Sequence, residues 1–406
     1  MRKRAMDDKL GDTDDSAPAN WVYPKDGEPI HALLLLAADN PDDLKAEAGR
    51  QVTALRKAGI ELVYKQDGMV RPDQRGHEHF GFKDGVSQPG IRDDRVTPRK
   101  LSDRQAGQDR IWPGEFIIGY PRQSVPSEEE EATDRGDGEE EEEGPGGPIV
   151  EPTPDWTMNG SYLVFRRLRQ DVRGFRDFVR QQAAALGLGV DLMGAKLVGR
   201  YASGAPLAAL KNPANGANQI GPGRQDDPGR IDPDSDLLKS EHINDFEFAE
   251  LDNLGELVPR GAHIRKVYPR DQKTKHQPGA DVKRILRRGI PFGSSYREEN
   301  ADKEPKGGPA FPEDRGLLFI CYQNSIADKF EFLQQTWVND RDFPSPVAQG
   351  GPRPGQDPII AQRDGEREFD IPGVRKSHIK LMERWVTTTG GDYFFSPSIQ
   401  ALRTLA

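Results

Sequence analysis

The chain has 406 residues, 57 Lys and Arg against 67 Asp and Glu, a formal charge of −10, 34% hydrophobic residues and one cysteine. This length accommodates two domains or one composite fold with a large core, while the lone Cys321 excludes an internal disulfide framework and any cysteine-based metal cluster. Between Glu128 and Glu143, eleven acidic residues face the single Arg135, so this stretch accounts for the whole net charge. The near-neutral remainder excludes nucleic acid as a bulk electrostatic partner.

The opening Met1-Arg2-Lys3-Arg4 is basic, but no apolar segment follows it, so it does not read as a secretory signal. The longest apolar run, from Ala32 to Ala38, is strand-sized and too short to cross a membrane. The expectation is a cytoplasmic chain with no membrane partner. His31 to Asp39 reads as a buried strand, and Asp42-Asp43 can cap a helix to about Lys57 with Leu44, Ala48, Val52 and Leu55 on one face. Glu61 to Tyr64 reads as a second strand, completing a β-α-β unit. A glycine-rich loop follows from His77 to Ile91, then a strand candidate from Trp112 to Tyr120. The acidic run is too charged and too poor in apolar residues to fold, and reads as a solvated loop.

Order resumes with a strand at Asn159–Phe165 and a helix from Asp171 to about Leu186, whose stripe is Val172, Phe175, Phe178 and Val179 and whose stop is Gly187. A second helix spans about Asp191 to Tyr201. Residues 208–240 lack periodicity and are too many for a plain connection, so they either wrap a site or move. Gly316 to Gln323 is a buried strand, and Ser325 caps a helix to about Asn339 with Ile326, Phe330, Leu333 and Trp337 as its stripe. Arg384–Thr389 and Tyr393–Phe395 flank Gly390-Gly391, a hairpin signal. Strand-helix-strand units in both halves predict an α+β architecture with helices packed on antiparallel sheets.

The chemistry concentrates between Gly261 and Gly293. His263 is followed by Arg265, Lys266 and Arg270, then by Arg284, Arg287 and Arg288. An imidazole can ligate a metal and the guanidinium groups can hold carboxylates, as a large, flat, anionic cofactor requires. A solvated basic face on a surface loop fits the same residues. In Gly81-Phe82-Lys83-Asp84-Gly85, the glycines let the backbone approach a planar ligand and Asp84 can act as a general acid-base; a plain tight turn is the structural alternative. Metal-binding histidine, proton-moving carboxylate and charge-stabilising arginine together make a haem peroxide site, and His263, Asp84 and Arg287 supply one of each.

Seven segments in order, GFKDGVSQPGI, NGSYLVFRRLRQDV, AHIRKVYPR, ILRRGIPFG, LLFICYQ, FEFLQQTWVND and GGDYFFSPSIQAL, resemble the dye-decolourising peroxidases, from about residue 28 to residue 406 apart from the acidic insert. The resemblance implies two ferredoxin-like α+β halves of the dimeric α/β-barrel-like superfamily with haem b between sheet and helices. The halves would be residues 1–126, lacking a first strand, and 148–406, separated by a disordered insert at 127–147. It further implies His263 as the proximal iron ligand, Asp84 as the distal aspartate of a GxxDG motif, Arg287 as the distal arginine, and Arg270 as a contact to a haem propionate. Two departures stand out: Val258-Pro259-Arg260-Gly261 replaces a Cys-Pro pair found in relatives, and Gly289 replaces an Asn or Ser.

The implied activity is reduction of hydrogen peroxide through an oxoferryl porphyrin radical, with dyes or phenols as one-electron donors. Tyr322 and Trp337 are candidates for relaying electrons to the surface, with packing as their alternative role. Glu331 or Asp342 are candidates for the carboxylate that should hold the His263 ring N–H. Homo-oligomerisation stays open. Two rival readings are a haem-binding or iron-releasing protein of the same fold, and a haem-free interaction protein that displays the acidic loop. His77 and His79 are alternative ligands, neither followed by a basic ladder.

Overall fold

A computed structural model describes residues 9–25, 28–92, 110–123, 147–208, 226–239, 242–244, 246–270, 280–298, 314–344, 353–362, 367–372, 374, 378–381 and 383–405. The acidic insert between Glu128 and Glu143 and part of the irregular stretch after Ala208 lie outside them. The elements in chain order are helix α1 (Pro41–Lys57), strands β1 (Gly90–Ile91), β2 (Arg110–Ile111) and β3 (Ser161–Gln170), helices α2 (Val172–Leu186), α3 (Val190–Val198) and α4 (His263–Val267). Strands β4 (Leu286–Arg287), β5 (Ile290–Phe292) and β6 (Gly316–Gln323) follow, then β7 (Arg367–Asp370), β8 (His378–Leu381), β9 (Val386–Ser396) and the terminal helix α5 (Ile399–Leu405).

The principal sheet is antiparallel, in the order β4-β6-β3-β9, with β5 also on β6. Side chains alternate across β3: Leu163 and Phe165 join Phe292, Leu318 and Ile320 on one face, while Val164 meets Cys321 and Phe330 on the other. The expected α+β class holds. Asp171 caps α2 by accepting the Gly174 N–H at 2.9 Å, and Gly187, at φ 68°, ends it in the left-handed region that glycine tolerates. The inward stripe of α2, Val172, Phe175 and Val179, packs with Met193 and Leu197 of α3 and with Trp385, and Phe178 is half-buried against it. Each such side chain contributes roughly 1.5–3 kcal/mol on burial.

Four expectations need correction. Gly390-Gly391 does not turn a hairpin but lies inside β9. There the register against β3 shifts between Arg167 and Leu168, and a Cβ on Gly390 would sit 2.3 Å from the Tyr23 carbonyl oxygen. The glycine pair therefore marks a bulge and a close backbone approach. The segment after Trp112 is a short helical turn, Pro113–Glu115, instead of a strand, because Glu115 turns inward to a buried ion pair with Lys329. The helix capped by Ser325 forms, but it is wound as π-helix over Ile326–Glu331 and Leu333–Val338. Phe330, Leu333 and Trp337 of its stripe are buried as expected.

Finally, the apolar runs on either side of α1 form no strand and pair with none among the described residues. Leu34, Leu35, Ile60, Leu62 and Val63 keep 45–55% of their surface. Apolar alternation alone does not make a strand; its backbone groups need a neighbouring edge. Leu33 does reach the Leu163–Phe165 face of the sheet.

Candidate active site

The glycine loop is built from within. The Glu78 carboxylate is buried and accepts N–H bonds from Phe80 and Phe82, both at 2.8 Å, and from the Gln170 amide at 2.6 Å. Burial pushes its pKa up against those bonds. The Glu78 N–H donates to the Phe82 carbonyl and the Gly81 N–H returns to the Glu78 carbonyl. Gly81 at φ 106° and Gly85 at φ 76° make the sharp reversals on either side of Asp84. The Asp84 N–H is held by the Gly76 carbonyl at 2.8 Å, so backbone bonds fix the origin of the side chain.

Arg287, on the edge strand β4, meets this loop three times. The Gln88 side chain accepts the Arg287 N–H at 3.2 Å and donates to its carbonyl at 3.1 Å, and Arg287 Nη1 donates to Asp84 Oδ1 at 2.9 Å. Asp84 Oδ1 also accepts the Gly85 N–H at 2.6 Å. No described residue bonds Asp84 Oδ2. Burial pushes the Asp84 carboxyl up, but the Arg287 charge, the Gly85 and Arg287 hydrogen bonds and the charge of His263 together hold it below the usual value. The carboxylate is therefore ionised at neutral pH and can receive a proton.

His263 opens α4. Its Nδ1 lies 2.8 Å from Oδ2 of the fully buried Asp357, whose Oδ1 accepts the N–H groups of Ile359 and Ile360 at 2.8 and 2.9 Å. Burial pushes Asp357 up, but the His263 charge and hydrogen bond, with those two N–H groups, bring it net down. An ionised Asp357 orients the ring through Nδ1, and among the described residues Nε2 has no hydrogen-bond partner. His263, Asp84 and Arg287 keep 29%, 33% and 29% of their side chains accessible although burial or partner charge dominates their surroundings. The His263 charge contributes to lowering the Asp84 carboxyl, so the two motifs, far apart in sequence, lie within electrostatic reach of each other.

Arg270 sits in the left-handed region at φ 56°, its guanidinium 4.1 Å over the Phe246 ring and bonded to the Tyr268 carbonyl at 2.8 Å. Beside it lies a residue that the sequence did not single out, Arg200. It is buried, bonded to Ser87 Oγ at 2.7 Å and to Asn244 Oδ1 at 2.5 Å, and held well below the ordinary arginine value by burial and by the like charges of Arg270 and Arg287. Three guanidinium groups in mutual repulsion favour an anionic ligand.

Other expectations resolve differently. Neither Glu331 nor Asp342 bonds the His263 ring; Asp357 does, because α4 packs on a turn near residue 357, whereas Asp342 pairs with Arg353 at 3.6 Å. The nearest signal was the turn sequence Gln356-Asp357-Pro358. His79 is buried with Nε2 2.8 Å from the Phe292 carbonyl, and burial pushes it down to about 4; His77 turns to the Arg75 carbonyl at 3.0 Å. Trp337 is 1% exposed and stacked on Phe343 at 4.8 Å, which suits packing and not contact with a bulky donor. Tyr322 is half-buried at the Leu163–Phe165 face. Among the described residues no helix is long and apolar enough to cross a membrane.

A family model described as Dyp-type peroxidase, C-terminal, matches residues 133–344. Peroxidase 2 of Mycetinis scorodonius is 32% identical over 96% of this chain and 68% of its own length. The multifunctional dye peroxidase DyP2 of Amycolatopsis sp. (strain ATCC 39116 / 75iv2) is 34% identical over 93% of this chain and 71% of its own. An ancestral D-type dye-decolorizing peroxidase structure superposes with a TM-score of 0.67 at 30% identity, covering 90% of this chain and 72% of that one. A fungal DyP-type peroxidase from Auricularia auricula-judae gives 0.65 at 27% identity, with 90% and 72% coverage. Alike in sequence and in fold, the chain belongs to the dye-decolourising peroxidases, a family of haem peroxidase enzymes.

Proposed function

We propose that this chain reduces hydrogen peroxide and oxidises dyes, phenols or similar one-electron donors, with haem b held through His263 Nε2. The donor set fits that group. One imidazole nitrogen is uncommitted while the other is tied to an ionised carboxylate, and Arg270 with Arg200 beside it supplies positive charge for the propionates. Haem, when bound, supplies the iron centre on which peroxide is cleaved and from which donors are oxidised.

The chain's own residues handle the proton and the charge. Asp84 Oδ2, free of other bonds among the described residues, accepts the proton from the nearer peroxide oxygen and returns it to the departing one. Arg287 holds Oδ1 through Nη1 and directs its remaining N–H groups at the negative charge that develops as the O–O bond lengthens. Gln88 keeps Arg287 from drifting by gripping its backbone on both sides. The single observation that carries this reading is the 2.9 Å Asp84–Arg287 pair, whose second carboxylate oxygen is unbonded among the described residues.

The test is an absorption spectrum of haem-reconstituted wild type beside His263→Ala, with steady-state peroxide turnover of Asp84→Asn. The wild type should show a Soret band that His263→Ala shifts or abolishes. Asp84→Asn should keep the band and lose turnover by about 10²–10⁴-fold. Full turnover in Asp84→Asn would return the chain to the haem-binding or iron-releasing reading; no Soret band in any variant would favour a haem-free role.

A further inference from the structure

Lys266 is fully buried, three residues after His263 and on the same short helix. An isolated ammonium in such a place costs several kcal/mol unless every N–H finds a partner. Here each does: Nζ donates to the carbonyl oxygens of Asp340 at 2.5 Å, Phe343 at 2.6 Å and Gly355 at 3.0 Å. The charge also lies 5.4 Å from the Phe343 ring centroid. No carboxylate takes part directly, so this is no ordinary ion pair. It is a three-way clamp on backbone.

What the clamp holds is the support of His263. Gly355 is two residues before Asp357, and the segment between them is laced to the chain after the π-helix. The Gly355 N–H donates to the Arg341 carbonyl at 3.0 Å, the Gln356 amide to the Asn339 carbonyl at 3.2 Å, and the Asp357 N–H to the Val338 carbonyl at 3.1 Å. Lys266 closes this seam from the helix side. The element that presents the imidazole and the turn that presents its carboxylate partner are therefore joined twice, once by His263–Asp357 and once by Lys266. The second join bridges two places in the chain, residues 340–343 and Gly355, through three acceptors on one ammonium.

We propose that Lys266 is a positioning residue for the proximal side. It holds the Asp357 turn at the depth where the carboxylate grips His263 Nδ1, and thereby keeps the ring strongly donating toward a metal at Nε2. The proposal rests on the reading that His263 ligates haem iron. A proximal carboxylate that grips the ring N–H makes imidazole a stronger donor and favours ferric over ferrous iron. Releasing the turn weakens that grip.

The experiment uses haem-reconstituted full chain and measures the ferric/ferrous potential and the iron–histidine stretching frequency, together with the thermal midpoint of the haem-free protein. Lys266→Met should raise the potential and lower the stretching frequency in the direction of Asp357→Asn. The Lys266→Met/Asp357→Asn double variant should match Asp357→Asn alone, because Lys266 acts through that carboxylate. Lys266→Gln, which retains two N–H donors, should give a smaller shift in the same direction, and it serves in place of the methionine variant if that one does not fold. A lowered thermal midpoint with unchanged potential and stretching frequency would show a purely structural lysine and overturn the proposal, as would additive shifts in the double variant. Haem that binds without His263, judged by an unaltered Soret band in His263→Ala, would instead refute the underlying functional reading.

Discussion

Arg287 and Asp84, 203 residues apart in the chain, are joined by a 2.9 Å charge-assisted bond that engages one carboxylate oxygen and leaves the other unbonded among the described residues. A proton acceptor needs that asymmetry: one oxygen to be aimed, one to react. Because the strand carrying Arg287 is stitched to the glycine loop by Gln88 as well, the aim is set by backbone and not by two flexible side chains alone.

The acid limb of the pH profile follows from this pair. The folded Asp84 carboxyl lies below its ordinary value of 3.8, since Arg287, the Gly85 N–H and His263 outweigh the upward push of burial. With Asp84 as the proposed base, it is already ionised at neutral pH, and activity should be lost only as pH falls through that depressed pKa. Removing the Arg287 charge in Arg287→Gln leaves burial less opposed, so the acid limb moves to higher pH. The maximal rate should also fall by about 10²–10³-fold as a charge-stabilising donor is lost. Turnover measured from pH 2.5 to 7 in both proteins checks this; an unmoved limb would mean that Arg287 does not set the Asp84 proton affinity.

With haem on His263 as proposed, Asp357 should set how firmly it stays. It is buried and bonded to the His263 ring at 2.8 Å, with Ile359 and Ile360 N–H groups holding its other oxygen. Asp357→Asn keeps the shape and a hydrogen bond but removes the negative charge. Haem affinity or activity should drop by about 10–100-fold. Transfer of haem to excess apomyoglobin, followed in the Soret region, reads the affinity directly. Retention equal to wild type would show that the carboxylate does not strengthen the ligand.

Much of the site was legible because its chemistry sits in local signatures. The glycines around Asp84 and the basic ladder after His263 are readable in a dozen residues each. Asp357 was not, because its role depends on a turn packing against a helix 94 residues earlier in the chain, and its own surroundings advertise only a turn. Arg200 was hidden for a related reason: its partners Ser87 and Asn244 come from two other segments, and an arginine at a helix end looks like any solvated cation. In the fold, α2 was readable to the residue because residue type marks both ends, a capping carboxylate at Asp171 and a left-handed stop at Gly187. Strands flanking α1 were misread because alternation states a preference for an edge without supplying one. Gly390-Gly391 was misread because glycine allows both a turn and a close approach, and only the neighbouring Tyr23 carbonyl decides between them.

That close approach is itself testable. A methyl group on Gly390 would press on the Tyr23 carbonyl, next to the 2.8 Å bond from the Val22 N–H to the Thr389 carbonyl that ties residues 21–24 to β9. Gly390→Ala should cost about 1–3 kcal/mol, the usual penalty for overpacking. Gly59→Ala is the contrast: its backbone is left-handed at φ 77°, as that of Gly390 is not, and nothing lies within 4 Å of a Cβ there. Urea midpoints compared among the three proteins at equal m-value separate steric pressure from backbone strain. An unchanged urea midpoint in Gly390→Ala would show that the Tyr23 contact is unimportant.

The buried Lys329–Glu115 pair gives the sharpest stability test. Both side chains are fully buried, and Lys329 also donates to the Val282 carbonyl at 2.7 Å. Burial, only partly offset by the Glu115 charge, pushes the lysine down to about 8. The folded pKa lies below the unfolded one, so folding is least favoured below about pH 8, where the buried ammonium must be maintained. Lys329→Met alone leaves the buried carboxylate stranded but for the partly exposed Arg122 at 3.4 Å and the Gln123 N–H at 3.0 Å, and should destabilise by about 3 kcal/mol. Adding Glu115→Gln removes the stranded charge and keeps an acceptor for Gln123. The double variant should therefore regain most of the loss, with stability no longer rising between pH 8 and pH 10. Chemical denaturation of the four proteins at pH 7 and pH 9.5 closes the cycle. A double variant as unstable as Lys329→Met would mean that the lysine stabilises this region through packing and its bond to Val282, and that its charge on Glu115 contributes little.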